Sequence, residues 1–201
     1  QKFGVKDFYE GETANIIALE MTKNGGLISL DDLKKYRPIW REPVKGDYRG
    51  KEIITMGPPS SGGLHLIQML NILENFDLNI YEHNSPDYIA LLSEIMKYAY
   101  ADRSKYLGDP DFFDVPTFEI VNKSYAKRIY QEILKNPQKS AEQILPGQLL
   151  FDESNETTHF SIADQFGNVI SNTYTLNSAY GSGVTISGTG ILMNNEMDDF
   201  S

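Results

Sequence analysis

The fold of this chain is decided by the stretch TTHFSIADQFGNVISNTYTLN, residues 157–177. Its first seven residues predict a β-strand. The next five, residues 164–168, hold an Asp, a Gly and an Asn and are typical of a hairpin loop. The remaining nine predict the returning strand. Such a hairpin brings Thr173 and Thr175 back beside the start of the first strand.

Thr157, at the start of this hairpin, is the residue that is best suited to act as a catalytic nucleophile. A threonine hydroxyl is a weak nucleophile unless a base lies beside it, and the nearest base would be the residue's own backbone nitrogen. If the bond between Glu156 and Thr157 is cut, that nitrogen becomes an α-amine with a pKa of about 8, which can take the hydroxyl proton. Residues 156–161 alone still favour a Thr157 that merely opens a β-strand.

The residues before the hairpin predict mainly helices, from apolar periodicity and from helix start and stop signals. The predicted helices cover residues 11–23, 29 to about 36, 62 to about 75, 86–106 and 122–135, and Ser85 precedes the fourth of them. Two strands are predicted within residues 44–56. Gly46 and Gly50 predict breaks in the strand pair. Ser60 or Ser61 is predicted to cap the helix that follows.

The residues on both sides of the hairpin form a longer pattern. In chain order they are NGGLI (24–28), GDYRG (46–50), PPSSGG (58–63), YAYADR (98–103), TTHFS (157–161), GN (167–168), TYTLN (173–177), YG (180–181) and NNEMDDFS (194–201). This order resembles the γ-glutamyltransferases, which are N-terminal-nucleophile hydrolases with a large and a small subunit. The resemblance covers essentially the whole chain, and Ile170 stands where the family more often has Val.

The resemblance implies an α+β fold. The expected architecture is a partial αββα sandwich of the N-terminal-nucleophile hydrolase type, with helices mainly before Thr157 and a β-hairpin after it. Residues 1–156 are similar to the carboxyl-terminal part of the large subunit, with an irregular linker at 137–156. Residues 157–201 are similar to the start of the small subunit, and we expect the two parts to form one structural domain.

The resemblance also implies a self-processing acyl transfer. Thr157 would attack the carbonyl of Glu156, so that the bond between them breaks through an ester and the precursor, a zymogen, becomes two subunits. The freed Thr157 would then attack the γ-carbonyl of glutathione or a related γ-glutamyl compound. Water, or the amine of an amino acid or peptide, would resolve the threonyl ester. The chemistry needs no cofactor, because the α-amine supplies the base.

Four further residues match family positions at the site. Thr175 would hydrogen-bond the nucleophile. Asn177, Glu196 and Asp199 would hold the α-ammonium group of the substrate, a cation that suits carboxylates. Without the resemblance, Asn177 is better interpreted as a strand-end amide and the two acids as solvated turn residues.

Other parts of the family site are missing from the pattern. The Ser-Ser pair for the substrate carboxylate and the Gly-Gly oxyanion hole would follow Ser201, and the family's substrate-binding Arg would precede Gln1. Losing one oxyanion donor costs about 10²–10³ in rate, so we expect the isolated chain to be inactive. We expect the remaining parts of both subunits to be its partners. The family also implies a periplasmic or secreted location.

Composition limits the classes of partner that this chain can bind. The net charge is -10, and no Lys or Arg follows Lys139. This argues against a nucleic-acid partner, because binding to phosphates requires clustered cationic side chains. There are no cysteines, which excludes disulfides, thiolate catalysis and Cys-type zinc sites. No apolar run is long enough to span a bilayer. The three His residues, His65, His83 and His159, lack metal-ligand spacing, and we expect no metal.

Several other motifs favour structural roles. Residues 58–63 lack the Lys of a P-loop, so we interpret them as a turn and cap whose Gly pair allows close packing. Residues 181–190 predict a flexible loop that borders a site. His65 is interpreted as a core or boundary residue and His159 as structural. The Asp residues around Gly108, namely Asp102, Asp109, Asp111 and Asp114, lack calcium-loop spacing and predict a capped turn with solvated carboxylates.

Two other functions stay open. The first is a sibling enzyme with the same nucleophile, either an acylase or a poly-γ-glutamate-processing transpeptidase. Glu196 and Asp199 favour an α-ammonium ligand, which weighs against the acylase. The second is a non-catalytic precursor or fragment that serves as a binding or structural module.

Overall fold

The computed structural model describes residues 4–137, 139–144 and 158–197. Its α-helices are α1 (Gly4–Glu10), α2 (Glu12–Asn24), α3 (Leu30–Lys35), α4 (Gly62–Leu73), α5 (Pro86–Tyr106), α6 (Thr117–Ile120) and α7 (Lys123–Lys135). Its strands are β1 (Val44–Tyr48), β2 (Lys51–Thr55), β3 (Thr158–Ala163), β4 (Val169–Tyr174), β5 (Thr185–Ile186) and β6 (Ile191–Leu192). Over the described ranges the strands pair consecutively into three antiparallel sheets of two strands. The predicted α+β class is therefore confirmed.

The chain divides into two compact units. One comprises Gln1–Ile39 together with Asp152–Ser201, and the other comprises Trp40–Phe151. These units are not the two parts that were predicted from the sequence, residues 1–156 and 157–201, which would be separated by cleavage of the backbone. That predicted cleavage stays a prediction.

The core of the unit Trp40–Phe151 is helical. Helix α4 packs against α5, α7 and β1. The buried residues of this core are Ile72, Leu73, Leu91, Ile95, Tyr98, Ala101, Ala126, Ile129, Ile133 and Ile144. Each large aliphatic side chain removed from water in this way contributes about 1.5–3 kcal/mol, so helix packing stabilises this unit more than its two short strands do.

Local signals place the two long helices of this unit. Ser85 caps α5, since its hydroxyl accepts a hydrogen bond from the backbone N–H of Tyr88 at 3.2 Å. Pro86 occupies the first turn, where its missing N–H costs nothing. Asn122 caps α7 by accepting from the N–H of Ser124 at 2.7 Å. The predictions for both helices are confirmed.

The strand pair β1–β2 corrects one prediction. Val44 lies opposite Thr55, and the two strands are joined by Arg49 and Gly50, which both have positive φ, as hairpin turns require. The predicted break at Gly50 is confirmed. The predicted break at Gly46 is wrong, because Gly46 lies inside β1. A Cβ at that position would lie 2.6 Å from Cγ2 of Ile67 on α4, so Gly46 permits close contact between strand and helix.

The start of α4 also differs in detail from the prediction. Ser61 occupies the N-cap position, but its backbone is helical and its side chain makes no cap hydrogen bond, so a capping role for Ser61 is wrong. The predicted close packing of the Gly pair is confirmed at Gly63, where a Cβ would lie 1.9 Å from the carbonyl oxygen of Met56. At Gly62 the nearest atom would be Ser60 Oγ at 3.7 Å, which is ordinary contact.

In the other unit, local caps define the first helices. Gly25 ends α2 with φ 76°, a conformation that favours glycine. Ser29 and Asp32 form a reciprocal capping box at the start of α3. Ile17 and Met21 of α2 pack with Ile186 of β5 in a small buried cluster. The predictions for α2 and α3 are confirmed.

His65 on α4 makes the stability of this fold depend on pH. It is 5% exposed, and burial, with a smaller contribution from the positive charge of Arg103, lowers its pKa from 6.5 to about 4. The folded state therefore keeps the ring neutral, while the unfolded chain takes up a proton below about pH 6.5. Because the unfolded state then binds more protons, stability is present above that pH and is lost as the pH falls towards 4.

We expect the full-length protein to lose roughly 2–3 kcal/mol of its free energy of unfolding through His65 between pH 6.5 and about pH 4. His65→Leu cannot be protonated, so its stability should fall less over the same interval. Urea unfolding of both proteins at several pH values measures the difference. Parallel pH profiles would contradict the assignment.

Candidate active site

The hairpin β3–β4 forms the framework of the site. Thr158 lies opposite Tyr174 and Ala163 opposite Val169, so the predicted hairpin is confirmed. Asp164 organises its turn, accepting from the N–H groups of Phe166 and Asn168, each at 2.9 Å. Hydrogen bonds from the side chain of Asn168 and, to a smaller extent, from its backbone N–H lower the pKa of the Asp164 carboxyl. Asp164 therefore stays ionised in the neutral range.

His159 is held across the hairpin by two hydroxyl groups of β4. Its Nδ1 lies 2.7 Å from Thr173 Oγ1, and its Nε2 lies 3.1 Å from Ser171 Oγ. Both ring nitrogens are thereby engaged with β4. This arrangement orients the imidazole along the exposed polar face of the hairpin.

The returning strand ends earlier than predicted. Strand β4 stops at Tyr174, and the predicted extension to Asn177 is wrong because the chain turns there. The N–H of Asn177 donates to Thr175 Oγ1 at 2.9 Å, and Asn177 has φ 72°, which is incompatible with an extended strand. Thr175 therefore begins a turn directly after the residue that pairs with Thr158.

The structure brings two predicted site segments together. Asn177 is 8% exposed, and its Nδ2 donates to the carbonyl oxygen of Asn195 at 3.2 Å. Glu196 follows Asn195 directly, and its N–H donates to Asn194 Oδ1 at 3.0 Å. Asn177 and Glu196, which are 19 positions apart in the sequence, thus lie on segments joined by hydrogen bonds.

The other predicted site residues are Glu156, Thr157 and Asp199, and they lie outside the described residues. The cleavage point, the nucleophile and the second acid of the ammonium site therefore stay predictions. The roles of Thr175, Asn177 and Glu196 are also predictions, although the positions of these residues are described.

The glycine-rich segment 181–190 connects Asn177 to the segment that holds Glu196. A Cβ at Gly181 would lie 2.2 Å from the carbonyl oxygen of Met193, and Gly181 has φ 53°. Ser182 donates its N–H to the same oxygen at 3.0 Å. The sequence analysis missed strands β5 and β6 in this region, since each has only two residues.

One functional-looking acid was misinterpreted from the sequence. Asp102 is 2% exposed. It accepts from Gln68 Nε2 at 2.5 Å and from the hydroxyl of Tyr125 at 2.7 Å, and burial raises its pKa. The prediction that it is a solvated turn carboxylate is wrong. Its spacing from Leu91, Ile95 and Tyr98 on the buried side of α5 was the signal that could have shown this.

Asp109 and Asp111 from the same sequence cluster form ion pairs. Arg41 binds Asp111 through two hydrogen bonds, at 3.1 Å and 2.8 Å. Asp109 lies 3.7 Å from the same guanidinium. Over the residues that the structure describes, no group of three or more His, Cys, Asp or Glu side chains could hold a metal ion.

No helix in the described part of the chain has the length and apolar character needed to cross a membrane.

Comparison with known proteins shows a match along the whole chain. The family model for gamma-glutamyltranspeptidase matches residues 1–201. The chain is 52% identical over 198 residues to the glutathione hydrolase proenzyme of Escherichia coli (strain K12), with 98% of this chain and 34% of that protein covered. The chain therefore spans about a third of that relative's length.

Two solved structures are similar in fold. Gamma-glutamyltranspeptidase from Helicobacter pylori matches with 46% identity and a TM-score of 0.68, covering 77% of this chain and 44% of that chain. Cephalosporin acylase from Bacillus halodurans matches with 30% identity and a TM-score of 0.74, covering 95% of this chain and 33% of that chain. The predicted fold class, α+β of the N-terminal-nucleophile hydrolase type, is confirmed.

Proposed function

The chain belongs to the gamma-glutamyltranspeptidase family, and on that premise we propose that the full-length protein is a self-processing γ-glutamyltransferase and glutathione hydrolase. The relative from Escherichia coli carries the name glutathione hydrolase proenzyme, which supports both the activity and a precursor stage. The individual chemical steps are proposals for Thr157 and the residues around it.

Processing begins with the intact bond between Glu156 and Thr157. The Thr157 hydroxyl attacks the Glu156 carbonyl, the C–N bond breaks, and the acyl group passes to the Thr157 oxygen as an ester. Water then hydrolyses the ester. The products are a carboxylate at Glu156 and a free amine and hydroxyl at Thr157, a pair that can act as base and nucleophile.

Transfer uses the freed hydroxyl. The α-amine of Thr157 accepts the hydroxyl proton as Oγ attacks the γ-carbonyl of the donor, and the proton passes to the departing amine. Thr157 is left carrying a γ-glutamyl ester. Attack by water completes hydrolysis, whereas attack by an amino-acid or peptide amine completes transpeptidation, and both regenerate the hydroxyl.

The observation that carries this proposal is the joining of Asn177 to the segment that holds Glu196. The Asn177–Asn195 hydrogen bond is 3.2 Å long. Asn177 lies three positions after the end of β4, and β4 ends opposite Thr158, the residue that follows Thr157 in the sequence. We propose that the Asn177 amide and the Glu196 carboxylate, which lie on segments joined in this way, together receive one ammonium group through charge-assisted hydrogen bonds. We propose that Asp199 supplies a further carboxylate.

The charge distribution indicates that residues 140–201 do not bind the α-carboxylate of the substrate through a Lys or Arg. Because no Lys or Arg follows Lys139, residues 140–201 offer no side-chain cation to pair with the substrate's α-carboxylate. We propose that this pairing comes from the remaining parts of the two subunits.

A second candidate function is an acylase, favoured by the similarity to the cephalosporin acylase of Bacillus halodurans. The two candidates differ in their need for the donor's α-ammonium. A γ-glutamyltransferase should prefer a γ-glutamyl donor over the same compound without its α-amino group by roughly 10- to 150-fold in kcat/KM, the equivalent of one charge-assisted hydrogen bond. An acylase should show no such preference.

The intact mass of the purified full-length protein tests the processing step. We expect two polypeptides that meet at Glu156 and Thr157, because self-cleavage is needed to free the catalytic amine. A single uncut polypeptide in an active preparation would contradict the proposed mechanism, and an inactive, uncut wild-type protein would favour a non-catalytic module.

A further inference from the structure

Asn195 is the residue that joins the two segments of the candidate site. Its N–H donates to the carbonyl oxygen of Leu176 at 3.1 Å. Its side-chain Oδ1 accepts from the N–H of Ser178 at 3.1 Å, and its Nδ2 lies 3.2 Å from Ser178 Oγ. Its own carbonyl oxygen accepts from Asn177 Nδ2 at 3.2 Å. Three consecutive residues after β4 are therefore bound to Asn195.

These contacts hold Asn177 in an unusual conformation. A φ of 72° lies in the left-handed region, which non-glycine residues seldom adopt and Asn tolerates better than most. The bonds to Leu176 and Ser178 constrain the backbone on both sides of Asn177. The bond from Nδ2 to the Asn195 carbonyl oxygen orients the carboxamide, so that its amino end is directed at Asn195.

The same residue sets the position of Glu196. Glu196 follows Asn195 in the chain, and its N–H is held by Asn194 Oδ1 at 3.0 Å. Any movement of Asn195 away from residues 176–178 would therefore separate Glu196 from Asn177. Asn194 and Asn195 belong to the motif NNEMDDFS, but the sequence analysis assigned neither of them a role.

We propose that Asn195 is a positioning residue for donor recognition, keeping Asn177 and Glu196 at the separation at which both can contact one α-ammonium group. This role rests on the proposed function. Asn195 acts through its neighbours and not on the reacting atoms. Its loss should therefore weaken binding of the ammonium while leaving the threonine chemistry in place.

The test compares Asn195→Ala with wild type in the full-length, processed protein. The variant loses both side-chain bonds to Ser178, so we expect the KM for a γ-glutamyl donor to rise about tenfold, with kcat within about threefold. A donor analogue without the α-amino group reports any loss of activity that does not depend on ammonium binding. Its kcat/KM should change by no more than about twofold.

Ser182→Ala is the matched control. The Ser182 hydroxyl also links two parts of the chain that follow β4, donating to the Met193 carbonyl oxygen at 3.1 Å, and neither Ser182 nor Met193 has a proposed role in donor recognition. We expect its donor KM to stay within about twofold of wild type. Asn195→Asp keeps the acceptor for the Ser178 N–H and should restore the donor KM to within about threefold of wild type.

Several outcomes would overturn the positioning role. They are an unchanged donor KM in Asn195→Ala, and equal losses for the donor and its desamino analogue. If Asn195→Ala fails to fold, Ser178→Ala removes only the hydroxyl contact with Asn195 Nδ2 and should still raise the donor KM selectively. An unchanged KM there would also overturn the role. A wild-type protein without γ-glutamyl transfer would overturn the proposed function itself, whereas an active wild type with an unaffected variant overturns only the role of Asn195.

Discussion

Thr157→Ala in the full-length protein is expected to leave the bond between Glu156 and Thr157 intact and to abolish γ-glutamyl transfer. The substitution removes the hydroxyl that attacks in both steps, and without cleavage the catalytic amine stays an amide. Loss of a catalytic nucleophile typically costs roughly 10⁴- to 10⁶-fold in kcat. Intact mass measures the cleavage, and release of the donor's leaving amine measures the transfer.

Two variants control this experiment. Thr157→Ser keeps the hydroxyl and loses one methyl group, so it should still process and transfer at a reduced rate. Thr158→Ala changes the neighbouring threonine, which is an exposed residue of β3 paired with Tyr174, and should process normally. Normal maturation of Thr157→Ala would mean that another group is the nucleophile.

Gly63→Ala is expected to have the largest effect on stability. The added Cβ would lie 1.9 Å from the backbone carbonyl oxygen of Met56 and 2.8 Å from Thr55 Oγ1. A backbone atom cannot rotate away as a side chain can, so α4 would have to move off the end of β2. We expect the free energy of unfolding to fall by about 4 kcal/mol, measured by urea unfolding of the full-length protein.

The adjacent glycine provides the control. Gly62 is also in the first turn of α4, and its nearest contact for an added Cβ is 3.7 Å. Alanine has the higher helix propensity, so Gly62→Ala should leave stability unchanged or raise it slightly. Equal losses at both positions would indicate a general effect on the start of the helix, and not a clash at Gly63.

Local chemistry explains which elements could be predicted. The cap and proline of α5, Ser85 and Pro86, act within one turn of the helix start. The hairpin turn depends on Asp164, which binds residues no more than four positions away. Because these interactions involve neighbours in the sequence, residue type and order were enough to predict them.

The errors share a different origin. Gly46 has the residue type of a strand breaker, yet it lies within β1 because Ile67 of α4 packs where a side chain would be. Asp102 has the residue type of a surface acid, yet it is buried because Gln68 and Tyr125 provide donors from α4 and α7. In both cases the deciding partner lies at least 21 positions away in the sequence, where no local pattern can indicate it.

Residue type and order are enough to predict the main helices, the β3–β4 hairpin, and the motifs that place the chain in its family, since propensities, caps and turn residues act over a few positions. The contact through which Asn195 joins the segment of Asn177 to that of Glu196 can be seen only in the folded chain. That contact spans 18 positions, and it depends on the path of the glycine-rich segment 181–190 between them. Gly181 allows this path because it is the residue type that tolerates both a positive φ and the approach of the Met193 carbonyl oxygen.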